Sequence, residues 1–311
     1  MADFSRFFPA LLALLLALLI PGARANAQLW PMATITCEDW RLFRDVDFLR
    51  HQATLDSLNP CISYEPFVAG GIEWRLTRLQ QGPLIPREAP LVVVLHDDEN
   101  AALTGALGLL ALRDVQVVML DAEESRLWGG VDPNRMFVDI GAVVASCPHP
   151  LNLDHRFAAA ILRDWTCTVP ILSLHSNAPG FQGDGEGGRG SISMLAAKPH
   201  QQAFPAAPDL RNPRLSDPDN LIYMAGPTPL PGPLQSALLE PLRQTGLNVL
   251  YSQINPMKQD CSLSDYLTLR GQSDLYFNIE VEAGDTAAAL TMIRKLMRVL
   301  DQYHEPQQTR P

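Results

Sequence analysis

Residues 90–113 decide the fold: Pro90-Leu91-Val92-Val93-Val94-Leu95, then His96-Asp97-Asp98-Glu99-Asn100, then a small, aliphatic stretch from 101 to 113. A valine-rich run with no polar alternation is how a strand covered on both faces reads. The acidic elbow ends that strand, and the good helix formers behind it start a helix. Working outward, the same unit recurs. Strands are predicted at 115–120, 169–174, 221–224, 248–252 and 276–281, and helices at 158–164, 234–244 and 287–303. Alternating strands and helices imply an α/β fold, a mostly parallel or mixed central sheet with helices on both faces. Ligands of such sheets gather at the carboxyl ends of the strands. His96 and Glu99 leave one predicted strand, His175 closes another, and Glu280 and Glu282 end a third, so residues distant in sequence are expected to converge on one edge. Two long connections, 176–190 and 199–220, are rich in Gly or in Pro and Asn and read as lids or solvated insertions.

Toward the N-terminus, Arg6 precedes an unbroken apolar run over 10–20, and Pro21-Gly22 then stop any helix. Ala23-Arg24-Ala25 and Ala25-Asn26-Ala27 both offer the small-x-small pattern of a cleavage site, so residues 1–27 are expected as a signal peptide, with an uncleaved anchor as the competing reading. The run is short for a bilayer span. A periplasmic or secreted location follows. Five cysteines suit that oxidising setting; sequence-near closures pair Cys37 with Cys61 and Cys147 with Cys167, leaving Cys261 over. Residues 28–89 are expected as an N-terminal cover and 90–311 as the α/β domain. A formal charge of −10 over 311 residues, without a cluster of Lys and Arg, excludes a nucleic-acid partner.

His96 and Glu99 stand at HxxE spacing, which turns an imidazole and a carboxylate toward one ion. The competing reading is a helix N-terminus whose acids complement the macrodipole. His175, where the apolar strand Leu172-Ser173-Leu174 runs out, makes a triad the better account. Two imidazoles and a carboxylate suit one zinc ion and leave a fourth position for water. His51, His149, His155, His200 and His304 lack ligand spacing.

The order of strand, HxxE, helix, Asp132-Pro133-Asn134-Arg135-Met136-Phe137, strand-end Leu174-His175 and a late strand ending in glutamate resembles the zinc carboxypeptidase superfamily. It is most similar to the succinylglutamate desuccinylase and aspartoacylase branch, over about residues 90–303. The resemblance implies that Asn134 and Arg135 grip a substrate carboxylate, that Arg126 polarises the scissile carbonyl, and that Glu280 or Glu282 is the general base. Tyr266 is a further candidate donor to substrate. Two departures, Leu95 where a glycine is common before HxxE and the missing NPxA segment, bear on specificity more than on metal binding.

The function expected is an exported zinc-dependent hydrolase of amide bonds in short peptides or N-acyl amino acids, with cell-wall peptides among the candidates. The alternative is a catalytically inactive periplasmic binding protein of the same fold, which should lack a ligand or the base. A nucleotide-binding oxidoreductase is excluded by the elbow after Leu95, where acids stand instead of a glycine-rich phosphate cradle.

Overall fold

The computed structural model describes residues 36–84, 86–142, 144, 146–177, 192–207, 215 and 217–308. The expected signal peptide and most of the connection at 176–190 lie outside them. Nine strands form one mixed sheet: β1 (Cys61–Ala69), β2 (Ile72–Gln80), β3 (Leu91–Val94), β4 (Gln116–Asp121), β5 (Ile171–Asn177), β6 (Gln201–Phe204), β7 (Leu221–Gly226), β8 (Asn248–Gln253) and β9 (Tyr276–Glu282). Their order is β1-β2-β4-β3-β5-β9-β7-β8-β6. The central β4-β3-β5-β9 pairs are parallel, as the valine-rich runs suggested. β7 and β8 are parallel to each other, but β7 runs antiparallel to β9.

Residues 61–80, placed within the expected cover, instead pair into the sheet as its edge hairpin. Its turn needs glycine: Gly70 sits at φ +63°, and a Cβ there would meet the Asn152 carbonyl oxygen at 1.8 Å. Within the connection expected at 199–220, β6 adds the opposite edge strand.

Helices cover both faces. α3 (Asn100–Leu110), α5 (Pro233–Gln244) and α7 (Thr286–Gln308) pack on the face carrying Val92, Val94, Leu172, Phe277 and Ile279. The short N-terminal α1 (Val46–Arg50) and α2 (Gln52–Leu58) join that core through Phe48 and Leu55. α3 and α7 approach so closely that a Cβ on Gly108 would lie 2.0 Å from Leu290 Cδ2. α4 (His155–Ile161) and α6 (Leu263–Leu269) cover the other face over Val93, Leu95, Ile171 and Tyr276.

Cys37 bonds to Cys61 as expected, but Cys147 bonds to Cys261, and Cys167 is exposed and free. The reason lies in the backbone. Phe137 N–H donates to Cys261 O at 3.0 Å and Ser146 Oγ to Gln259 O at 2.6 Å, so the segment before α6 is laid against residues 137–147. Among the described residues, no helix is long and apolar enough to cross a membrane.

Candidate active site

β3 ends at Val94, and a tight turn in which Glu99 N–H donates to His96 O at 3.2 Å brings both side chains to the same side before α3 begins. His175 lies in β5, in register beside Glu280 of β9. The fold therefore brings the HxxE pair and the strand-end histidine together. His96 Nδ1 is 2.9 Å from Glu99 Oε1 and 3.1 Å from His175 Nδ1, which is 3.1 Å from Glu99 Oε2. All three residues are buried, and their ligand atoms lie within 4.8 Å of one another.

The donor set fits a zinc ion. Two Nδ1 atoms facing each other form a hydrogen bond only when one carries a proton, whereas a cation between them and the carboxylate satisfies all three. Tetrahedral donors about 2.0–2.1 Å from zinc stand roughly 3.4 Å apart, close to this spacing. The outward ring nitrogens are engaged as metal-ligating histidines require. His96 Nε2 meets Asp132 Oδ1 at 2.8 Å, and His175 Nε2 meets Ser173 Oγ at 2.9 Å. Tyr276, fully enclosed, bonds in turn to Ser173.

Electrostatics point the same way. Burial pulls the His96 imidazole down, yet Glu99 and Asp132 outweigh it and raise its pKa to about 9. Burial pushes Glu99 and Asp132 up, but the histidines hold Glu99 well below the usual carboxylate range, and His96 with Arg135 and Arg126 does the same for Asp132. A field that favours a proton on a buried imidazole also favours a metal cation.

The other expected residues divide. A cavity of about 750 Å³ opens beside the triad, lined among others by Arg126, Asn134, Arg135 and Glu280. Glu280 is buried, and Asn278 Nδ2 donates to its Oε1 at 2.9 Å. Burial, reinforced by Glu99 against the pull of His175, raises its carboxyl above the ordinary range. Glu282 stands beside Asn177 at the strand's end and does not line the cavity. Arg126 is tied to the triad itself, donating to Glu99 Oε1 at 2.7 Å and lying 3.6 Å from Asp132 Oδ2. Asn134 Oδ1 accepts the Leu263 N–H at 3.1 Å, leaving its amide NH2 as the group it can offer. Tyr266 is away from the triad: its ring packs on Phe137 and under Arg270, over a separate depression of about 280 Å³. Asp132, Ser173 and Asn278, which orient the central side chains, were not among the residues expected from sequence.

No protein-family model matches the sequence, and no curated protein matches it. Solved structures similar to this chain include a protein described as a metallopeptidase from Shewanella amazonensis, with 16% identity over 83% of this chain and 91% of that one and a TM-score of 0.45. A metallo-carboxypeptidase from Burkholderia cenocepacia is similar with 14% identity over 82% and 69% and a TM-score of 0.44. A protein described as a succinylglutamate desuccinylase/aspartoacylase from Shewanella frigidimarina is similar with 12% identity over 78% and 71% and a TM-score of 0.35.

Proposed function

We propose that the chain is an exported zinc-dependent hydrolase of amide bonds in short peptides or N-acyl amino acids. The observation that carries this reading is the convergence of His96, Glu99 and His175 on one point next to the buried, cavity-facing Glu280. Export is supported by the sequence of residues 1–27 together with two disulfides.

His96 Nδ1, Glu99 and His175 Nδ1 would hold one zinc ion, which would supply a Lewis acid to polarise a carbonyl and lower the pKa of water. Asp132 and Ser173 hold the two rings so that both Nδ1 atoms face inward. Glu280 accepts a proton from the attacking water and returns it to the leaving amine, a task suited to a carboxyl whose proton affinity is raised by burial. Asn278 fixes one Glu280 oxygen and leaves the other for the proton. Arg135, on the cavity wall, offers a planar fork to a substrate carboxylate, and Asn134 stands beside it. Arg126 steadies Glu99 and completes the cationic side of the cavity.

The test joins metal analysis to turnover. The purified protein should carry about one zinc, lost in His175→Ala. On a panel of short peptides and N-acyl amino acids, Glu280→Gln should keep the metal and lose about 10²–10⁴ in rate. Glu282→Gln should retain near-normal rate. A metal-free wild type, or a fully active Glu280→Gln, overturns the reading.

A further inference from the structure

Asp97 lies in the elbow between His96 and Glu99 and is 5% exposed, yet its carboxylate is spent on another part of the chain. Its Oδ2 accepts the N–H of Ala122 at 3.1 Å and the N–H of Glu124 at 2.6 Å, just past the end of β4. Buried Asp47 of α1 stands against the same carboxyl.

Those two N–H groups converge because the backbone between them is left-handed. Glu123 lies at φ +56° and Glu124 at φ +59°. A side chain in that region crowds its Cβ against the next carbonyl oxygen, so two such residues in succession persist only where their surroundings hold them. The bonds within the turn are few: Glu123 N–H donates to Asp121 Oδ1 and Ser125 N–H to Ala122 O, each at 3.1 Å. Asp97 supplies the anion that a concave run of backbone N–H groups binds. Arg50 of α1 adds a second hold, donating to Asn100 Oδ1 at the start of α3 and to Glu124 Oε1.

The turn leads into Arg126. Its guanidinium donates to Glu99 Oε1 at 2.7 Å, lies 3.6 Å from Asp132 Oδ2 and lines the cavity. At the far end of the same loop, Asp132 Oδ1 meets His96 Nε2 at 2.8 Å. Residues 122–132 are thus fastened to the HxxE elbow at both ends, through Asp97 at the start and Asp132 at the close, with Arg126 between. A change of φ at 123 or 124 swings everything that follows, and a misplacement of about 1 Å at a reacting group can cost about 10²-fold in rate.

We propose that Asp97 is a positioning residue for Arg126: it holds the left-handed pair Glu123-Glu124, and that hold keeps the guanidinium on Glu99 and facing the cavity. The inference rests on the hydrolase reading for what Arg126 faces, a substrate carbonyl, whereas the link from Asp97 to Arg126 is a property of the chain alone. An acid that only complemented the start of α3 would have no such link.

The first test needs no substrate. Arg126→Ala is introduced into the wild type and into Asp97→Ala, and the four proteins are unfolded in urea at one saturating zinc concentration. Arg126→Ala should lower the folding equilibrium constant about 10-fold in the wild type, the scale of a hydrogen bond between charged groups, and less than about threefold in Asp97→Ala. Asp97→Asn, which keeps an oxygen for both N–H groups, should restore the larger effect. Equal effects of Arg126→Ala in the wild type and in Asp97→Ala, including no effect in either, overturn the proposal. If Asp97→Ala does not fold, amide exchange in the wild type decides: Glu124 N–H should exchange at least about 10-fold more slowly than a free amide, and an unprotected Glu124 overturns the proposal.

The second test is turnover of the zinc-loaded proteins. Asp97→Ala should keep its zinc, hold KM within about threefold and lower kcat about 10- to 100-fold, while the same change made in Arg126→Ala should cost less than about threefold. A folded, zinc-loaded Asp97→Ala with wild-type kcat overturns the proposal. If the wild type carries no zinc or turns over no substrate, the hydrolase reading falls and the urea comparison alone decides the role of Asp97. If zinc and turnover hold while the urea effects simply add, only the positioning role falls.

Discussion

Removing the Asp132 carboxylate separates a metal centre from a mere cluster of buried polar groups. Asp132 Oδ1 sits 2.8 Å from His96 Nε2 and also accepts the Asn134 N–H at 2.8 Å, capping the turn Pro133–Arg135. In Asp132→Ala the ring loses the partner that keeps its proton on Nε2, and the Nδ1 lone pair is no longer held toward Glu99. A hydrogen bond to a charged group contributes about 1.5–3 kcal/mol, which converts to roughly 10–150-fold in affinity. Partners behind metal ligands typically govern about 10–100-fold of metal affinity, so zinc binding should weaken by that factor. Loss of the cap should cost about 1 kcal/mol of stability independently of metal. Asp132→Asn keeps an oxygen for both donors and loses only charge, so its loss of affinity should be the smaller of the two. Competition for zinc against a chromophoric chelator measures the first effect, and urea unfolding of metal-stripped protein measures the second. If folded Asp132→Ala binds zinc within about twofold of wild type, the reasoning that this carboxylate positions His96 as a ligand is refuted.

Two further outcomes come from parts of the fold outside the triad. Burial, and then Asp97, pushes buried Asp47 up to about 8, so at neutral pH it holds a proton that the Asp97 carboxylate accepts. The folded chain then keeps a proton that the unfolded chain releases near pH 4, so stability from this pair should fall as pH rises from about 4 to about 8. Asp47→Asn, able to donate to Asp97 at any pH, should flatten that slope and stabilise by at least about 1 kcal/mol at pH 8; a variant no more stable than wild type there contradicts the shared proton. Replacing Cys147 and Cys261 together by serine opens a closure spanning 114 residues and should cost about 2–4 kcal/mol. Because Cys261 fixes Asp260 and Ser262, the same variant should raise KM more than it lowers kcat while zinc content stays at wild-type level; an unchanged KM would show that the bond does not hold the cavity wall.

What was legible in the sequence is what short-range pattern encodes. The valine run at 91–94 announces a strand buried on both faces, and His96, Glu99 and His175 were found because each stands where such a strand or its elbow ends. The β1–β2 hairpin also left a signal, a Gly70-Gly71 pair between two runs of β-forming residues, although residues 28–89 read as a cover on the sheet and not as part of it. Alternation put Glu280 and Glu282 on one side of their strand, and only the register separates them: Glu280 lies beside His175, Glu282 beside Asn177, with its N–H held by Asn220 Oδ1 at 2.8 Å.

The residues that sequence pattern could not reveal are those whose role depends on a distant partner. Asp132 reads locally as the cap of a turn, and it does cap one; its second bond, to His96, exists because β3 and the Asp132 turn meet in space. Cys147 had a nearer candidate in Cys167, but loop closure costs grow only with the logarithm of loop length, so proximity in sequence is a weak guide beside the packing of residues 137–147 on the segment before α6. The cavity wall beyond Glu280 is the extreme case. Tyr223, Ser252, Asp265 and Asn278 come from four elements, none of them shows a motif, and each taken alone reads as an ordinary strand or helix residue. Their common meaning arises from the antiparallel pairing of β7 with β9, which sets Tyr223 level with Asn278 and carries the cavity sideways from Glu280 toward α6. That pairing shapes the cavity through sheet order, whereas His96, Glu99 and His175 meet because the strands that carry or precede them end beside one another.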